Sequence, residues 1–249
     1  APCLLRNYDF APALFEGTWL SSAWHGRRVL AMSDCLWGCL DGLNESGLAA
    51  SLSFGGRTVV GAGFGVPIVM RYLLEFAGSV PEAVAILKRI PHHMSYSISL
   101  LDSNARWATV FINPDRDIEV LDLRSVSNLQ HQVHWPQHER ATRALLRERT
   151  LAQALTQSER GDDLQARMLQ APIWQGAYAR GYGTLYTARY EPAQASVSLH
   201  WPQQPCLRQH LQDSLDLQLD LELHEAAADM QPESAATFRW TLDSPTSFS

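Results

Sequence analysis

Four polar or aromatic-polar side chains stand together near the start of the chain, in Arg6-Asn7-Tyr8-Asp9, between the apolar flanks Leu4-Leu5 and Phe10. On an extended strand, Asn7 and Asp9 share one face while Arg6 and Tyr8 share the other. One reading makes this a strand end with surface charges. The other makes Arg6 and Asp9 buried groups that shape a pocket, where a carboxylate needs partners to offset its desolvation. Asn128, in Ser125-Val-Ser-Asn-Leu129, is either a turn residue or an amide donor to the oxyanion of an acyl transfer. Arg180, just ahead of Gly181 and Gly183, is either solvated or a cation for a substrate carboxylate. The run Ser51-Leu-Ser-Phe-Gly-Gly56 ends in paired glycines. These make a turn, or they let the backbone approach a ligand and place Ser53 and Gly55 at a substrate.

Other chemistries find less support. His131, His134 and His138 crowd around Trp135-Pro136, but the proline keeps them off one helix face, and no Asp or Cys nearby completes a metal set. There is no GxSxG elbow, Walker loop or GxGxxG fingerprint. Of the four cysteines, Cys35 and Cys39 lie in the apolar stretch MSDCLWGCLDG and read as buried thiols. No metal and no cofactor are expected.

The elements that must position these residues come next. Residues 4–10, 18–24, 28–33, 36–40 and 48–54 are short apolar and aromatic runs, with polar breaks at His25-Gly26, Asp41-Gly42 and Asn44-Glu45-Ser46-Gly47. That pattern predicts a series of antiparallel hairpins. The period changes to helical over residues 67–77, and again after Ser79-Val-Pro-Glu82, whose hydroxyl and carboxylate fit a capping box. Strands return at 95–101, 107–112 and 118–123. Residues 136–157 read as one long charged helix, 162–169 as a shorter one, and 183–190 with 194–201 as a closing hairpin. Residues 215–223 alternate perfectly between Leu and polar residues, as a strand with one buried face would. The order of strands, helix pair, strands, helices and strands suits an α+β fold, an αββα sandwich of two antiparallel sheets flanked by helices. One domain over residues 1–225 and a polar, loose tail over 226–249 are expected.

Composition sets limits on partners. The net charge of -6 argues against nucleic acid as the main partner. No apolar run reaches membrane-spanning length and no signal peptide is visible, so no membrane partner is expected and a reducing cytoplasm is the default compartment.

Read together, Leu4-Leu-Arg-Asn-Tyr-Asp-Phe10, Asp41-Gly-Leu-Asn-Glu-Ser-Gly-Leu48, Val126-Ser-Asn128 and Gly183-Thr-Leu-Tyr186 occur in family order. Over roughly residues 4–200 the chain resembles the penicillin acyltransferase branch of the N-terminal-nucleophile (Ntn) hydrolases, which is related to the choloylglycine hydrolases. That resemblance implies an αββα fold and an amino-terminal cysteine whose thiolate attacks an amide or thioester, with its own α-amine as proton acceptor. It implies that Arg6 and Asp9 line and tune the nucleophile, that Asn128 lies on the oxyanion side although Leu129 replaces the His that often follows, and that Arg180 matches a family Arg with one residue of uncertainty in register. The family nucleophile lies well over a dozen residues before the Asp of this motif, so it is expected upstream of Ala1, and the chain without it is expected to be inactive. Exposing Cys3 by cleavage after Pro2 is the lesser alternative. The implied activity is hydrolysis, or acyl transfer, on a small linear amide or thioester. A non-catalytic ligand- or partner-binding module is the alternative, and a homo-oligomer is consistent with either.

Overall fold

The computed structural model describes residues 1–158 and 160–225; the expectation for the tail at 226–249 lies outside the described residues. The chain opens with β1 (Leu4–Phe10), then runs through β2 (Trp19–Ser22), β3 (Val29–Asp34), β4 (Gly38–Asn44) and β5 (Leu48–Phe54). Helices α1 (Val66–Phe76) and α2 (Val80–Arg89) interrupt, and β6 (Tyr96–Asp102), β7 (Trp107–Ile112) and β8 (Glu119–Leu121) follow. After α3 (Pro136–Thr142), α4 (Ala144–Gln157) and α5 (Gly161–Met168), the described part closes with β9 (Gly176–Ala177), β10 (Tyr182–Glu191), β11 (Ser196–His200) and β12 (Leu207–His210).

Two antiparallel sheets result. The larger is a meander, β2-β3-β4-β5-β6-β7-β8, in which every neighbour in space is a neighbour in sequence. The smaller has the order β1-β10-β11-β12, with β9 on β10. Helices α1 and α2 pack on β4 to β7 of the larger sheet, while α5 packs against β10 of the smaller one. This is the expected α+β arrangement of two sheets with flanking helices. Val69, Met70, Leu73 and Leu74 of α1 are fully buried, each contributing roughly 1.5–3 kcal/mol through loss of apolar surface from water. Among the described residues no helix is long and apolar enough to cross a membrane.

The structure departs from the expected elements at four places. Asp41 and Gly42 do not break a strand but lie inside β4. Gly42 is there because a Cβ would fall 2.6 Å from the Leu30 carbonyl oxygen and 2.7 Å from a Leu74 methyl, so its absence lets α1 close on the sheet. The capping box of α2 is not made: Ser79 makes no cap hydrogen bond, and Glu82 accepts instead from the Gly78 amide, one residue before the cap, at 2.7 Å. The long helix over 136–157 breaks into α3 and α4 at Arg143, whose φ of 52° is left-handed. Residues 215–223 form no strand, and Leu215, Leu217, Leu219 and Leu221 are exposed. Period-two patterning makes a strand only where the segment pairs in register along a partner edge. Here the segment is held instead by Gln204, whose side chain bonds both backbone groups of Glu222 at 2.7 and 3.2 Å.

The sheets are tied by charge as well as by packing. Asp41 of β4 has no solvent exposure and reaches across to the smaller sheet. It pairs with the Arg6 guanidinium and accepts hydrogen bonds from Tyr186 at 2.8 Å and Tyr190 at 2.5 Å. Arg6 also donates to Tyr186 at 2.9 Å, and burial pushes both phenols well above their ordinary pKa. Removing one member of a buried pair strands the other charge. Asp41→Asn is therefore expected to destabilise the protein by about 3–5 kcal/mol in urea unfolding. Adding Arg6→Met should recover part of that loss; an additive double variant would show that the pair is not coupled.

Candidate active site

The two sheets differ in width, and that difference makes the site. Across the larger sheet Asp41, Ser51, Ser99 and Thr109 are lateral neighbours on β4, β5, β6 and β7. Asp41 is covered by β1 and β10, but among the described residues the smaller sheet ends at β1. Beyond that edge, over β5 to β7, a cavity of about 510 Å³ opens. Its floor includes Ser51, Ser53, Ser99 and Thr109; its roof is the 123–128 segment with α4 and α5. That volume lies in the range of small-molecule sites.

β1 supplies the cavity edge. Its alternation is as expected: Arg6 and Tyr8 are buried, and Asn7 faces the helices. The Asn7 amide donates to the Met168 carbonyl at 2.9 Å, and Thr187 donates to its oxygen at 2.7 Å. The register with β10 shifts between Tyr8 and Asp9, a bulge that re-aims the following side chain. The Asp9 carboxylate then receives Thr184 Oγ1 on one oxygen and Arg147 Nη2 on the other, both at 2.5 Å. Arg147, itself buried, also donates to the Ile173 carbonyl from Nε at 3.2 Å and Nη2 at 2.9 Å. Asp9 is thus a fixed, charge-compensated carboxylate at the cavity wall.

Asn128 is set by its neighbours in the loop. Ser127 donates to the Ala144 carbonyl at 3.0 Å, and Gln130 to the Tyr96 carbonyl at 3.0 Å. Gly56 makes the remaining space: its φ is +69°, and a Cβ there would lie 2.7 Å from the Asn128 carbonyl oxygen. Asn128 lines the cavity, and its side chain makes no hydrogen bond to the described residues, so its amide hydrogens are available to a ligand.

The structure brings Arg6, Asp9, Ser53 and Asn128 to one cavity. Gly55 is not in the lining; its amide donates to the Ser95 carbonyl at 2.8 Å, joining β5 to β6. Arg180 is exposed in a short 3-10 turn, Tyr178–Arg180, outside the lining. Arg147 is the site residue that sequence reasoning missed. A signal existed: it sits three residues after Ala144 and seven before Ala154, on the buried stripe of α4, where an arginine needs a partner.

The thiols and imidazoles are placed otherwise. Cys3 lines the far end of the cavity, and its sulfur packs where Gly161 lacks a Cβ. Burial raises its pKa against the pull of Arg189. Cys35 is exposed and raised by desolvation and by Asp34; Cys39 is buried and pushed up to about 12, chiefly by burial. None of these three is primed as a thiolate. Among the described residues no group of three or more His, Cys, Asp or Glu could hold a metal. His131 binds Glu119 at 2.8 Å, whereas His138 packs against Trp135 and Phe54, and burial pushes its pKa down to about 4.

Comparisons with known proteins agree with this fold. The family described as acyl-coenzyme A:6-aminopenicillanic acid acyl-transferase matches residues 1–205. No curated protein gives a significant match. Among solved structures, the chain is similar to the N-acylethanolamine-hydrolyzing acid amidase ortholog of Caenorhabditis elegans, with 14% identity and a TM-score of 0.57 over 77% of this chain and 88% of that one. It is similar to penicillin V acylase from Agrobacterium tumefaciens, with 16% identity and a TM-score of 0.51 over 81% and 74%. A mutant conjugated bile acid hydrolase from Clostridium perfringens gives 11% identity and a TM-score of 0.57 over 90% and 89%. At these identities the solved structures establish a shared fold.

Two outcomes are expected. Gly56→Ala meets both a left-handed φ and the Asn128 carbonyl, so it should cost about 1–3 kcal/mol in thermal unfolding; unchanged stability would mean that the loop yields freely. His138 binds its proton near pH 6.5 when unfolded and near pH 4 when folded. Its neutral ring therefore favours the fold fully above pH 6.5, and that contribution is lost as pH falls toward 4. The stability of the wild type relative to His138→Phe should drop by about 2–3 kcal/mol between pH 7 and pH 4, measured by urea titration at each pH.

Proposed function

The chain belongs to the acyl-coenzyme A:6-aminopenicillanic acid acyl-transferase family, and on that premise we propose that it forms the substrate-binding and activating shell of an amide hydrolase or acyltransferase of the Ntn type. The observation that carries this is the meeting of the fixed Asp9–Arg147 pair and the available Asn128 amide in one cavity beside the open edge of β1.

The nucleophile in this proposal is an amino-terminal thiol held along the edge of β1, in a segment preceding Ala1. Two findings support it. The second edge of β1 carries no strand among the described residues, and Cys3, Cys35 and Cys39 all have raised pKa values. The α-amine takes the thiol proton as sulfur attacks the amide carbonyl, giving a tetrahedral oxyanion. Asn128 donates to that oxygen. Collapse breaks the C–N bond, the amine leaves with the proton, and a thioester remains. Water then attacks the thioester and releases the acid, regenerating the thiol; a second amine in place of water gives transfer. Hydrolysis is the favoured outcome because water is always at hand. Asp9, locked by Arg147 and Thr184, orients the thiol and amine. Arg6, whose buried Nε has no partner among the described residues, tunes them from the sheet side. The substrate is a small linear amide or thioester, handled in the cytoplasm without a cofactor.

A second reading, a ligand-binding module without a nucleophile, draws on the same raised thiols. The two separate in the full-length gene product incubated with a panel of N-acyl amides. The enzyme reading expects released acid and an acyl adduct on a residue upstream of Ala1; an adduct on Cys3, or no turnover at all, counts against it. In that protein Asp9→Asn should fold and lose at least about a hundredfold in kcat/KM. Asn128→Ala should lower kcat about 10²–10³-fold with little change in KM; equal losses in both would assign Asn128 to structure.

A further inference from the structure

The chain as a whole is acidic, with a net charge of -6, yet the cavity is not. Among the described residues its lining holds four arginines, Arg6, Arg124, Arg147 and Arg160, and one carboxylate, Asp9. Arg6 is matched by Asp41 and Arg147 by Asp9. Arg160 is 77% exposed and stands near Asp162. Arg124 differs from all three: among the described residues it makes no ion pair or hydrogen bond. Its guanidinium lies over the Trp107 ring, 4.3 Å from the centroid. The indole is itself held, donating from Nε1 to Asp122 at 2.6 Å. A guanidinium lying over an aromatic face still has N–H groups that can bond a carboxylate.

The position of this cation is fixed by the sheet. Trp107 pairs with Leu101, two residues along the strands from the Ser99–Thr109 pair. Two residues span about 7 Å, a distance that an arginine side chain and a short acid substituent together bridge. Apart from Arg147, which is paired with Asp9, α4 and α5 line the cavity with apolar residues, Leu151, Leu155, Leu164 and Met168.

We propose that Arg124, stacked on Trp107, is the specificity determinant for a carboxylate carried by the substrate, and that the cavity takes N-acyl amino acids, with the acyl group against α4 and α5 and the acid at Arg124. This rests on the proposed function for the identity of the reacting bond, but not for the binding. Arg124 is exposed at the cavity rim and has no ion pair among the described residues, so it can draw an anion to that point although Asp122 lies on the edge of the same indole.

The test uses calorimetric binding of N-decanoylglycine and its neutral counterpart N-decanoylglycinamide to the protein, with decanoate release followed separately by mass spectrometry. The acid should bind at least about tenfold more tightly than the amide, as expected for a charge-assisted hydrogen bond. That preference should weaken in high salt. Arg124→Ala should abolish it while leaving the amide's affinity within about twofold, and Arg124→Lys should retain only part of it. Equal binding of the two ligands, a preference that survives Arg124→Ala, or no saturable binding of the acid overturns the proposal. Decanoate release from both ligands at equal rates, with no acid preference in binding, would leave the hydrolase reading standing and remove this one. An Arg124-dependent preference without any release in the full-length gene product would do the reverse.

Discussion

Asp41 holds the two sheets together from a position with no solvent exposure. A bare carboxylate at such a site is prohibitively costly to bury. It is tolerated because three donors converge on it: the Arg6 guanidinium and the phenols of Tyr186 and Tyr190. The network fixes more than a distance between layers. Arg6 comes from β1, the tyrosines from β10 and the aspartate from β4, so only one relative placement of the sheets satisfies every partner. β1 is placed over the middle of the larger sheet, and the space beyond it is left open.

That open space is a consequence of unequal sheet widths. The meander has seven strands in sequence order, whereas the path of the facing sheet ends at β1. An uncovered sheet face would expose apolar side chains if its strands were two-sided apolar ladders. Here the row beyond the smaller sheet is Ser51, Ser99 and Thr109, polar side chains on the cavity floor that tolerate a polar ligand. The same strands send Ala50, Leu52, Ile98 and Leu100 into the buried interior. One alternating pattern therefore serves the core on one face and the cavity on the other.

Electrostatics divides the cavity further. Asp9 is held by Arg147 and Thr184 and keeps a defined orientation. Asn128 contributes an uncommitted amide, held in place by bonds from its neighbours Ser127 and Gln130 and by the missing Cβ of Gly56. Arg124 stands apart on Trp107. Among the described residues the cavity thus contains a neutralised carboxylate, a neutral donor and a cation without an ion pair, with apolar side chains from α4 and α5. The three cysteines with raised pKa are kept as thiols by burial or by nearby carboxylates, which separates them from nucleophilic work.

Much of the fold was determined by the sequence alone. Short apolar runs broken by polar turns specify hairpins through local chemistry, and so the meander and the α1–α2 pair are legible. The alternation in Arg6-Asn7-Tyr8-Asp9 also fixes which residues face together, because that depends only on strand geometry. Tertiary structure decided everything that needed a distant partner. Whether Arg6 and Asp9 are surface charges or buried groups turned on Asp41, Tyr186 and Arg147, which lie 35 to 180 positions away in the chain. Gly55 and Gly56 proved to serve Ser95 and Asn128, which pattern reasoning had no means to see. Residues 215–223 carry a perfect strand pattern and form no strand, because alternation becomes a ladder only where the segment is actually paired along an edge, and here it is held by Gln204 instead. Local pattern sets what a segment can be, and the desolvation cost of polar groups, met only by long-range partners, sets what it is.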